Sequence, residues 1–467
     1  MSKSMLDYLI INAKIADGKG EMYENALGIE GGKIAFLGWS NAAFPLASAD
    51  LPSAKNIINA EGLTLVPGII DIHAHSDSNL NCAEKLLAQG VTTCLSGNCG
   101  LSPELDFRAF RAHFERQGYP INQAEQIGHS SLRKACGVQD FYAPASPAQI
   151  ARMQEMLEQA ISDGAAGLSL GLEYDPGAPY EEALALVKTA VQAAKCAGKP
   201  PIVSIHARKV DRANDASIME AIALAEESGA RLIVSHLVYM WNGAGLRRAL
   251  ALIDEARRRG VDLWADSGMW TAYATTAGSA VFDEDEFTRK GYDFNKVRAG
   301  SGKYAGQFLN LEKYRAERRD SPKTIFIYDP GEPDDVHTAL AFADVMVSTD
   351  AAPAAAGQGH PQNAATYPRF FHEMVPSVFT LPEALRRTSL LPAQALSLNK
   401  GRIMLGADAD IAIFDMSRLR GNAGFPGENA ESPPDAPPEG VEFIFVNGIL
   451  SLAAGKRIKG INAGKMI

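Results

Sequence analysis

The stretch that decides the fold is GLTLVPGIIDIHAHSD, residues 62–77. It begins with a continuous apolar run and ends in polar residues that include Asp71, His73 and His75. A short continuous run of this kind is typical of a strand that is buried on both faces of a sheet. Because side chains alternate along a strand, the three polar residues point to the same side. The stretch therefore predicts a buried strand whose end presents two imidazoles and a carboxylate together.

Six similar runs follow along the chain, and helical signals separate them. They are VTTCLSG (91–97), AAGLSLGL (165–172), PPIVSI (200–205), ARLIVS (230–235), VDLWA (261–265) and ADVMVS (343–348). Strands that alternate with helices indicate a parallel sheet, and about seven or eight such units suit an α/β protein built as a (β/α)8 TIM barrel. The rival is a doubly wound sheet, which would bring a glycine-rich phosphate turn after its first strand, and no such turn is present.

Both ends of the chain have β patterns. Residues 26–38 and 440–456 each hold two apolar runs around a Gly-Gly or Asn-Gly turn, and residues 401–415 alternate apolar with small or polar residues. We therefore expect a small β-sandwich domain built from residues 1–60 plus 400–467.

The expected barrel spans residues 61–399, between these two ends. Residues 282–336 interrupt its rhythm with a charged and aromatic stretch of weak periodicity. We interpret this stretch as an insertion over one mouth of the barrel, where loops commonly carry function.

Composition limits the partners. The 467 residues carry 45 Lys and Arg against 55 Asp and Glu, a net charge of −10, which argues against a nucleic-acid or anionic-membrane partner. The first twenty residues show no secretory leader, no long apolar run is present, and five cysteines fit a reducing compartment. These features predict a cytoplasmic protein with a small-molecule partner, and they leave an oligomer of identical chains open.

Residues of metal-ligand or acid-base type follow most of the apolar runs. They are His73, His75, Cys99, Glu173, His206, His236 and Asp350. Each alone has an ordinary interpretation, such as a structural histidine, a small buried cysteine or a helix-capping aspartate. In a parallel barrel, however, all the strand ends meet at one rim, where active sites lie. Together they predict a metal site at that rim.

The chemistry of these side chains indicates which metal they bind. Imidazole, thiolate and carboxylate suit Zn²⁺ better than Mg²⁺ or Ca²⁺, which prefer oxygen ligands. Ligands spread from residue 73 to residue 350 are typical of a catalytic site rather than a structural one. Zinc makes water acidic near neutral pH, and a neighbouring Asp can accept its proton and return it to a leaving nitrogen.

Longer motifs resemble the amidohydrolase superfamily and, within it, the D-aminoacylases (N-acyl-D-amino-acid deacylases). The matching stretches include PGIIDIHAHSD (67–77), GNCG (97–100), GLEYDPG (171–177), VSTDAAP (347–353) and HPQNAATYPRF (360–370). The likeness spans nearly the whole chain, and GNCG with the GLxY-P segment points to the deacylase branch.

The resemblance implies roles for the metal-ligand candidates. Cys99, His206 and His236 would hold one tight zinc. His73, His75 and Asp350 would form a second, weaker position, and Asp350 would also be the general base and acid. Glu173 stands where many superfamily members carry a bridging carboxylated lysine, so it is a further candidate ligand.

Two positions depart from the family pattern. Where the family usually has a Lys and a Tyr that help to hold the substrate α-carboxylate, this chain has Val238 and Gly268. Arg208 fits the family's H-x-R segment and is a candidate anion clamp. Further candidates for substrate contact are Tyr174, Met269, Trp270 and His360.

The function that these features predict is zinc-dependent hydrolysis of a C–N amide bond, with an N-acyl-D-amino acid or a similar compound as substrate. Because the usual carboxylate clamp is missing, an alternative is hydrolysis of a cyclic amide of the hydantoin or imide type. A metal-binding scaffold without catalysis is the third interpretation, which the complete set of ligand residues disfavours.

Overall fold

An eight-stranded parallel sheet forms the centre of the computed structural model, which describes residues 5–18, 22–40, 51–208 and 215–467. Each strand of this sheet pairs with the preceding strand of the same sheet, as in a (β/α)8 barrel. The eight strands are Ile69–Asp71, Val91–Ser96, Asn122–Gly128, Gly167–Gly171, Ile202–His206, Arg231–Val234, Leu263–Ser267 and Val345–Val347. The predicted fold class is therefore confirmed.

The sheet closes into a ring between its first and last strands. Ala74 and Ala351 form a parallel bridge. The backbone N–H of His75 donates to the carbonyl of Ala351 (2.7 Å), and the N–H of Asp350 donates to the carbonyl of His73 (2.9 Å). The closure of the barrel thus brings the HxH segment and Asp350 side by side at the rim.

One barrel strand lacks the apolar pattern. Asn122–Gly128 has the sequence NQAEQIG, yet all seven residues are buried. Its polar side chains bond to one another and to neighbouring strands, as when Gln123 donates to Glu125 (2.7 Å) and Gln126 donates to the carbonyl of Leu168 (2.9 Å). Buried polar groups of this kind are tolerated when they are hydrogen-bonded, so polarity did not prevent this segment from forming a strand.

The first apolar run divides between two sheets. Thr64–Pro67 belongs to the sheet of the chain ends, and Ile69–Asp71 belongs to the barrel. Gly68 separates them, and a Cβ there would lie 2.2 Å from the hydroxyl oxygen of Thr92. The chain can change sheets here because glycine allows this close approach. The barrel therefore begins after Pro67, not at residue 61.

The two chain ends form one domain of nine strands that are hydrogen-bonded in a continuous order. The sheet folds back on itself, as a sandwich requires, because the rings of Tyr8 and Phe445 lie 5.1 Å apart although their strands are three apart in that order. Antiparallel pairing of Thr64–Pro67 with Ile411–Phe414 joins the N-terminal strands to the C-terminal ones. The strands are Leu6–Ala16, Met22–Glu30, Lys33–Ser40, Ala54–Asn59, Thr64–Pro67, Ile411–Phe414, Val441–Val446, Ile449–Ala453 and Lys456–Arg457. Parts of the expected domain, residues 1–4, 19–21 and 41–50, lie outside the described residues.

Helices surround the barrel, and an apolar core fills the space between them and the strands. Among the described residues, none of these helices combines the length and apolar character that crossing a bilayer requires. The α-helices are Leu80–Ala88, Phe107–Gln117, His129–Ala135, Pro147–Ser162, Tyr180–Cys196, Ala216–Ser228, Leu237–Met240, Gly243–Arg258, Glu284–Arg289, Leu311–Asp320, Asp335–Ala341, Gln362–Met374, Leu381–Leu385 and Leu391–Ala395.

The insertion carries a small sheet of its own between the seventh and eighth barrel strands. Its three strands, Tyr273–Thr276, Arg298–Ala299 and Ile325–Tyr328, pair antiparallel. The first of them precedes residue 282, so the insertion starts earlier than the sequence pattern indicates. Its aromatic residues, including Phe287 and Tyr314, pack into a core beneath this sheet.

Candidate metal centre

Three of the strand-end residues have an unusual backbone conformation. Cys99 (φ 53°), His236 (φ 35°) and Asp350 (φ 53°) all lie in the left-handed region, which non-glycine residues rarely adopt. Such strained positions persist only where the surroundings hold them, and they cluster at functional sites. Here they turn the chain sharply at the barrel rim, at the points where the side chains of these residues meet.

One group of candidate ligands consists of His73, His75, Cys99 and Asp350. Asp350 Oδ1 lies 3.3 Å from His73 Nε2 and 3.2 Å from His75 Nε2. The Cys99 sulfur lies 3.3 Å from His73 Nε2. The ligand atoms of the group are all within 4.8 Å of one another, a spacing that one cation can bridge.

A second group consists of Cys99, His206 and His236, so the two groups share the Cys99 sulfur. That sulfur lies 3.4 Å from His236 Nε2. His206 Nδ1 is buried and has no hydrogen-bond partner among the described residues. A buried ring nitrogen without a partner, next to a thiol and a second imidazole, fits a zinc ligand set.

The electrostatics of the cluster favour charged side chains. Burial would raise the pKa of the Cys99 thiol, but the imidazoles of His73 and His236 hold it well below its usual range. Burial likewise opposes ionisation of Asp350, yet His73 and His75 keep the pKa of this carboxyl well below its ordinary value. Thiolate and carboxylate are the forms that bind a cation.

Two buried carboxylates support the ligands from behind. Asp266 Oδ1 accepts from the backbone N–H of His236 (2.9 Å) and from the hydroxyl of Ser348 (2.6 Å), and its other oxygen lies 3.7 Å from His73 Nδ1. Asp71 accepts from the hydroxyl and backbone N–H of Thr349. Asp71 thus holds the backbone next to Asp350, whereas Asp266, beside the His73 ring, is placed as carboxylates that orient metal-binding imidazoles are.

A cavity of about 280 Å³ opens directly over the cluster. Its walls include His75, Cys99, His206, His236 and Asp350 from the barrel rim. The remaining wall is largely aromatic, aliphatic or hydroxyl-bearing and comes partly from the insertion: Leu101, Tyr174, Tyr239, Met240, Tyr273, Thr275, Thr276, Val281 and Ile325. A small ligand that enters this cavity would therefore meet the metal ligands at its floor.

Two predicted contact residues lie in the cavity wall. The ring of Tyr174 packs against His206 with 4.8 Å between ring centroids, and its hydroxyl donates to Thr275 (3.1 Å). His360 is buried, and its Nδ1 accepts from the backbone N–H of Gln362 (3.1 Å). Burial lowers the pKa of His360 to about 3, so this imidazole is neutral.

Met269 and Trp270 lie elsewhere. They line a separate depression together with Arg369, which stacks over the Trp270 ring at 4.8 Å. The Trp270 ring packs edge-on against His360, with 5.5 Å between ring centroids, so it lies behind a residue of the cavity wall. The structure does not bring these two residues to the cavity, contrary to the expectation.

Arg208 is engaged in structural contacts rather than presented to the cavity. Its guanidinium donates to the carbonyls of Pro176 (2.9 Å) and Ala178 (2.7 Å) and to the carboxylate of Glu220 (3.2 Å). These bonds tie the end of the fifth strand to the loop after the fourth. The geometry differs from the expected anion clamp, because these contacts use four of the five N–H donors of Arg208.

Glu173 belongs to neither ligand group. Its Oε2 lies 2.9 Å from His206 Nε2, and its Oε1 accepts from the ammonium of Lys290 (2.6 Å). Glu173 therefore contacts a candidate ligand and lines the cavity beside it, and its place in the ligand set stays a prediction.

Sequence reasoning missed several residues of the site. Asp266 directly follows the apolar run VDLWA (261–265), so the rule that found the other strand-end residues also applies to it. Gln362 lies within the motif HPQNAATYPRF (360–370), which could have pointed to it. Tyr239 and Lys290 come from a helix and from the insertion, and nothing in their local sequence marks them as part of a site. Only the folded chain brings them to the cavity or its ligands.

Comparison with known proteins identifies the family. The model of the amidohydrolase family matches residues 56–291, and the chain belongs to that family. The chain is 28% identical over 477 residues to the N-acyl-D-glutamate deacylase of Alcaligenes xylosoxydans xylosoxydans, an alignment that covers 95% of this chain and 93% of the relative. This likeness confirms the predicted resemblance to the deacylase branch.

Solved structures agree. The N-acyl-D-glutamate deacylase of Bordetella bronchiseptica, which was crystallised with zinc and a phosphonate inhibitor that mimics the tetrahedral intermediate, superposes with a TM-score of 0.84 at 25% identity and covers 99% of each chain. The L-hydantoinase of Arthrobacter aurescens, at 16% identity, also covers 99% of each chain but reaches a TM-score of only 0.61. That second likeness shows a common fold alone.

Proposed function

We propose that this protein is a zinc-dependent amidohydrolase that removes the acyl group from an N-acyl-D-amino acid or a closely similar small amide. The observation that carries the proposal is the position of the Cys99 sulfur, which two groups of candidate ligands share at the floor of a cavity. The zinc-containing deacylase of the same fold, and the deacylase relative that matches nearly the whole chain, support it. The net charge of −10 supports a small-molecule partner over nucleic acid or a membrane surface, and we retain the cytoplasm as its compartment.

The two groups of candidate ligands and the family resemblance support two metal positions. Cys99, His206 and His236 would hold the tighter zinc, and His73, His75 and Asp350 would complete a second position with the shared sulfur. Zinc held there supplies Lewis acidity toward a carbonyl and lowers the pKa of water to about 7. The imidazoles must be neutral and the thiol ionised for this binding.

Asp350 supplies the proton transfers. Its carboxylate is ionised and lies beside His73 and His75 at the cavity floor, so it can accept a proton from an attacking water. The water oxygen forms a bond to the acyl carbon, the C–N bond breaks, and Asp350 returns the proton to the departing nitrogen. The products are a carboxylate and an ammonium ion, because the proton of the new carboxylic acid passes to the released amine, and Asp350 ends as it began.

A second candidate substrate is a cyclic amide of the hydantoin or imide type. Of the described residues that line the cavity, none is a lysine or an arginine. A ring-closed amide has no free α-carboxylate and needs no such cation. The likeness to hydantoinase is nevertheless weaker than the likeness to deacylases, which favours the open-chain amide.

The test is a paired assay of the purified, zinc-loaded protein. N-acetyl-D-amino acids and their L enantiomers are compared with hydantoins and dihydropyrimidines, and free amine or ring-opened product is measured. We expect turnover of D substrates and a large preference over L. Turnover of the rings alone would favour the second candidate, and zinc binding without any turnover would revive the non-catalytic scaffold.

A further inference from the structure

A buried lysine from the insertion reaches the candidate metal centre. Lys290 directly follows the helix Glu284–Arg289, and only 2% of its side chain is exposed. Its ammonium donates to Glu173 Oε1 (2.6 Å), and the other oxygen of that carboxylate lies 2.9 Å from His206 Nε2. Lys290, Glu173 and His206 thus form a continuous chain of contacts from the insertion to a candidate zinc ligand.

The contact with Glu173 determines which nitrogen of His206 is available. A carboxylate accepts hydrogen bonds, so the Nε2 atom of His206 carries the hydrogen and donates to Glu173. The lone pair then resides on Nδ1, which is the buried nitrogen without a partner among the described residues. Metal-binding histidines are commonly fixed in one tautomer by a carboxylate in this way.

We propose that Lys290 is a positioning residue for the metal centre. By pairing with Glu173 it keeps that buried carboxylate in place, and Glu173 in turn holds His206 with Nδ1 directed to the metal. The insertion thereby contributes to metal retention as well as to the cavity wall. This inference rests on the proposed zinc-dependent function.

Anchoring of the insertion does not by itself account for a lysine at this position. Other contacts also join the insertion to neighbouring segments, among them Tyr174 with Thr275 (3.1 Å) and Arg298 with the carbonyl of Pro426 (2.8 Å). An aliphatic side chain would fill the same space without the cost of removing an ammonium from water. The buried charge is therefore explained by its partner Glu173.

The experiment measures zinc affinity, by competition with a chromophoric chelator, in the full-length protein. Lys290→Met is compared with Lys296→Met, which alters an exposed lysine of the same insertion. Loss of a residue that supports a metal ligand commonly weakens metal binding by about 10–100-fold, and we expect a loss of that size for Lys290→Met and none for Lys296→Met. Lys290→Arg, which keeps the charge, is expected to retain most of the affinity.

A double variant tests whether the residues act in series. Glu173→Gln replaces a charged acceptor with a weaker neutral one, so it is also expected to weaken zinc binding. Lys290→Met combined with Glu173→Gln should then lose no more than the more impaired single variant. Additive losses would show two independent effects and overturn the proposal.

Folding is monitored separately by circular dichroism and thermal unfolding of the zinc-free proteins. A folded Lys290→Met protein that binds zinc as tightly as Lys296→Met would overturn the proposal. If Lys290→Met does not fold, the zinc affinity of Glu173→Gln tests the proposal instead. Wild-type zinc affinity in the Glu173→Gln protein would also overturn the proposal. These affinities do not depend on which amide is hydrolysed. Tight zinc binding without amide turnover would therefore count against the proposed function and leave this inference standing.

Discussion

The hydroxyl of Tyr239 occupies the space in front of Gly268. A Cβ added at Gly268 would lie 2.9 Å from that oxygen, closer than side-chain carbons approach in practice. Tyr239 donates to Gln362 Oε1 (2.8 Å), and the amide of Gln362 donates to the backbone carbonyl of Asp350 (2.6 Å). The absence of a side chain at position 268 therefore allows a tyrosine from the helix Leu237–Met240 to stand in the cavity wall near Asp350.

Gly268→Ala is expected to displace the Tyr239 hydroxyl. Overpacking of this kind costs about 1–3 kcal/mol of stability, and loss of the Gln362 contact should also lower kcat/KM. Tyr239→Phe removes the clashing oxygen and leaves the ring carbon 3.6 Å from the new methyl, an ordinary contact. The double variant should thus be no less stable than Tyr239→Phe alone. Thermal unfolding and steady-state kinetics of the three proteins test this, and an unperturbed Gly268→Ala protein would contradict it.

Asp350→Asn is expected to abolish most turnover but not metal binding. Proton transfer by a positioned carboxylate contributes about 10²–10⁴-fold to a rate, and an amide cannot replace it. Cys99, His206 and His236 remain in this variant, so the tighter zinc should stay bound. Steady-state kinetics with metal analysis of the same sample provide the check. Near-normal turnover would rule out Asp350 as the general base.

Cys99→Ala is expected to weaken both metal positions at once, because the two ligand groups share this sulfur. Variants of His75 or His206 should affect only the group to which each belongs. Cys196→Ala is the matched control, since Cys196 is exposed and distant from the ligand groups. Zinc content after dialysis against a chelator measures the effect. Retention of a full metal complement by Cys99→Ala would contradict the shared position.

Zinc binding to the metal-free protein is expected to release protons. Burial would lower the pKa of both His75 and His206, but Asp350 and Cys99 raise that of His75 to about 10, and Cys99 and Glu173 raise that of His206 to about 9. At pH 7 to 8, below both values, these imidazoles hold protons that a cation must displace. Zinc affinity should therefore increase as pH rises toward about 9. Calorimetry in two buffers of different ionisation enthalpy gives the number of protons released, and a value of zero would contradict the prediction.

The sequence predicted the barrel because most of its strands are continuous apolar runs that end in ligand-type residues. His73, His75, Cys99, His206, His236 and Asp350 could be found in this way, since parallel strands place their carboxyl ends on one rim. The strand Asn122–Gly128 has no apolar run, because its buried polar side chains are satisfied by partners that only the folded barrel supplies.

The rest of the site depends on long-range contacts. Lys290 reaches Glu173 across 117 positions of sequence, and Tyr239 reaches Gln362 across 123. No local periodicity or spacing records such a pairing. Arg208 is the opposite case, in which a local motif is present but the expected contact is not. Its spacing from His206 fits a family motif, while the fold directs its guanidinium to backbone carbonyls.

Arg208→Ala is expected to act mainly on stability. The arginine donates to the carbonyls of Pro176 and Ala178 and to Glu220, and hydrogen bonds from charged groups are worth about 1.5–3 kcal/mol each when they are well shielded. Because Arg208 is partly exposed, we expect a loss of stability toward the lower end of that range.

If the role of Arg208 is structural, KM should change by a similar factor for substrates with and without a free carboxylate. Thermal unfolding and KM for both substrate types test this, with Arg152→Ala, an exposed arginine, as control. A rise in KM confined to carboxylate substrates, at unchanged stability, would instead support the anion clamp that the motif predicts.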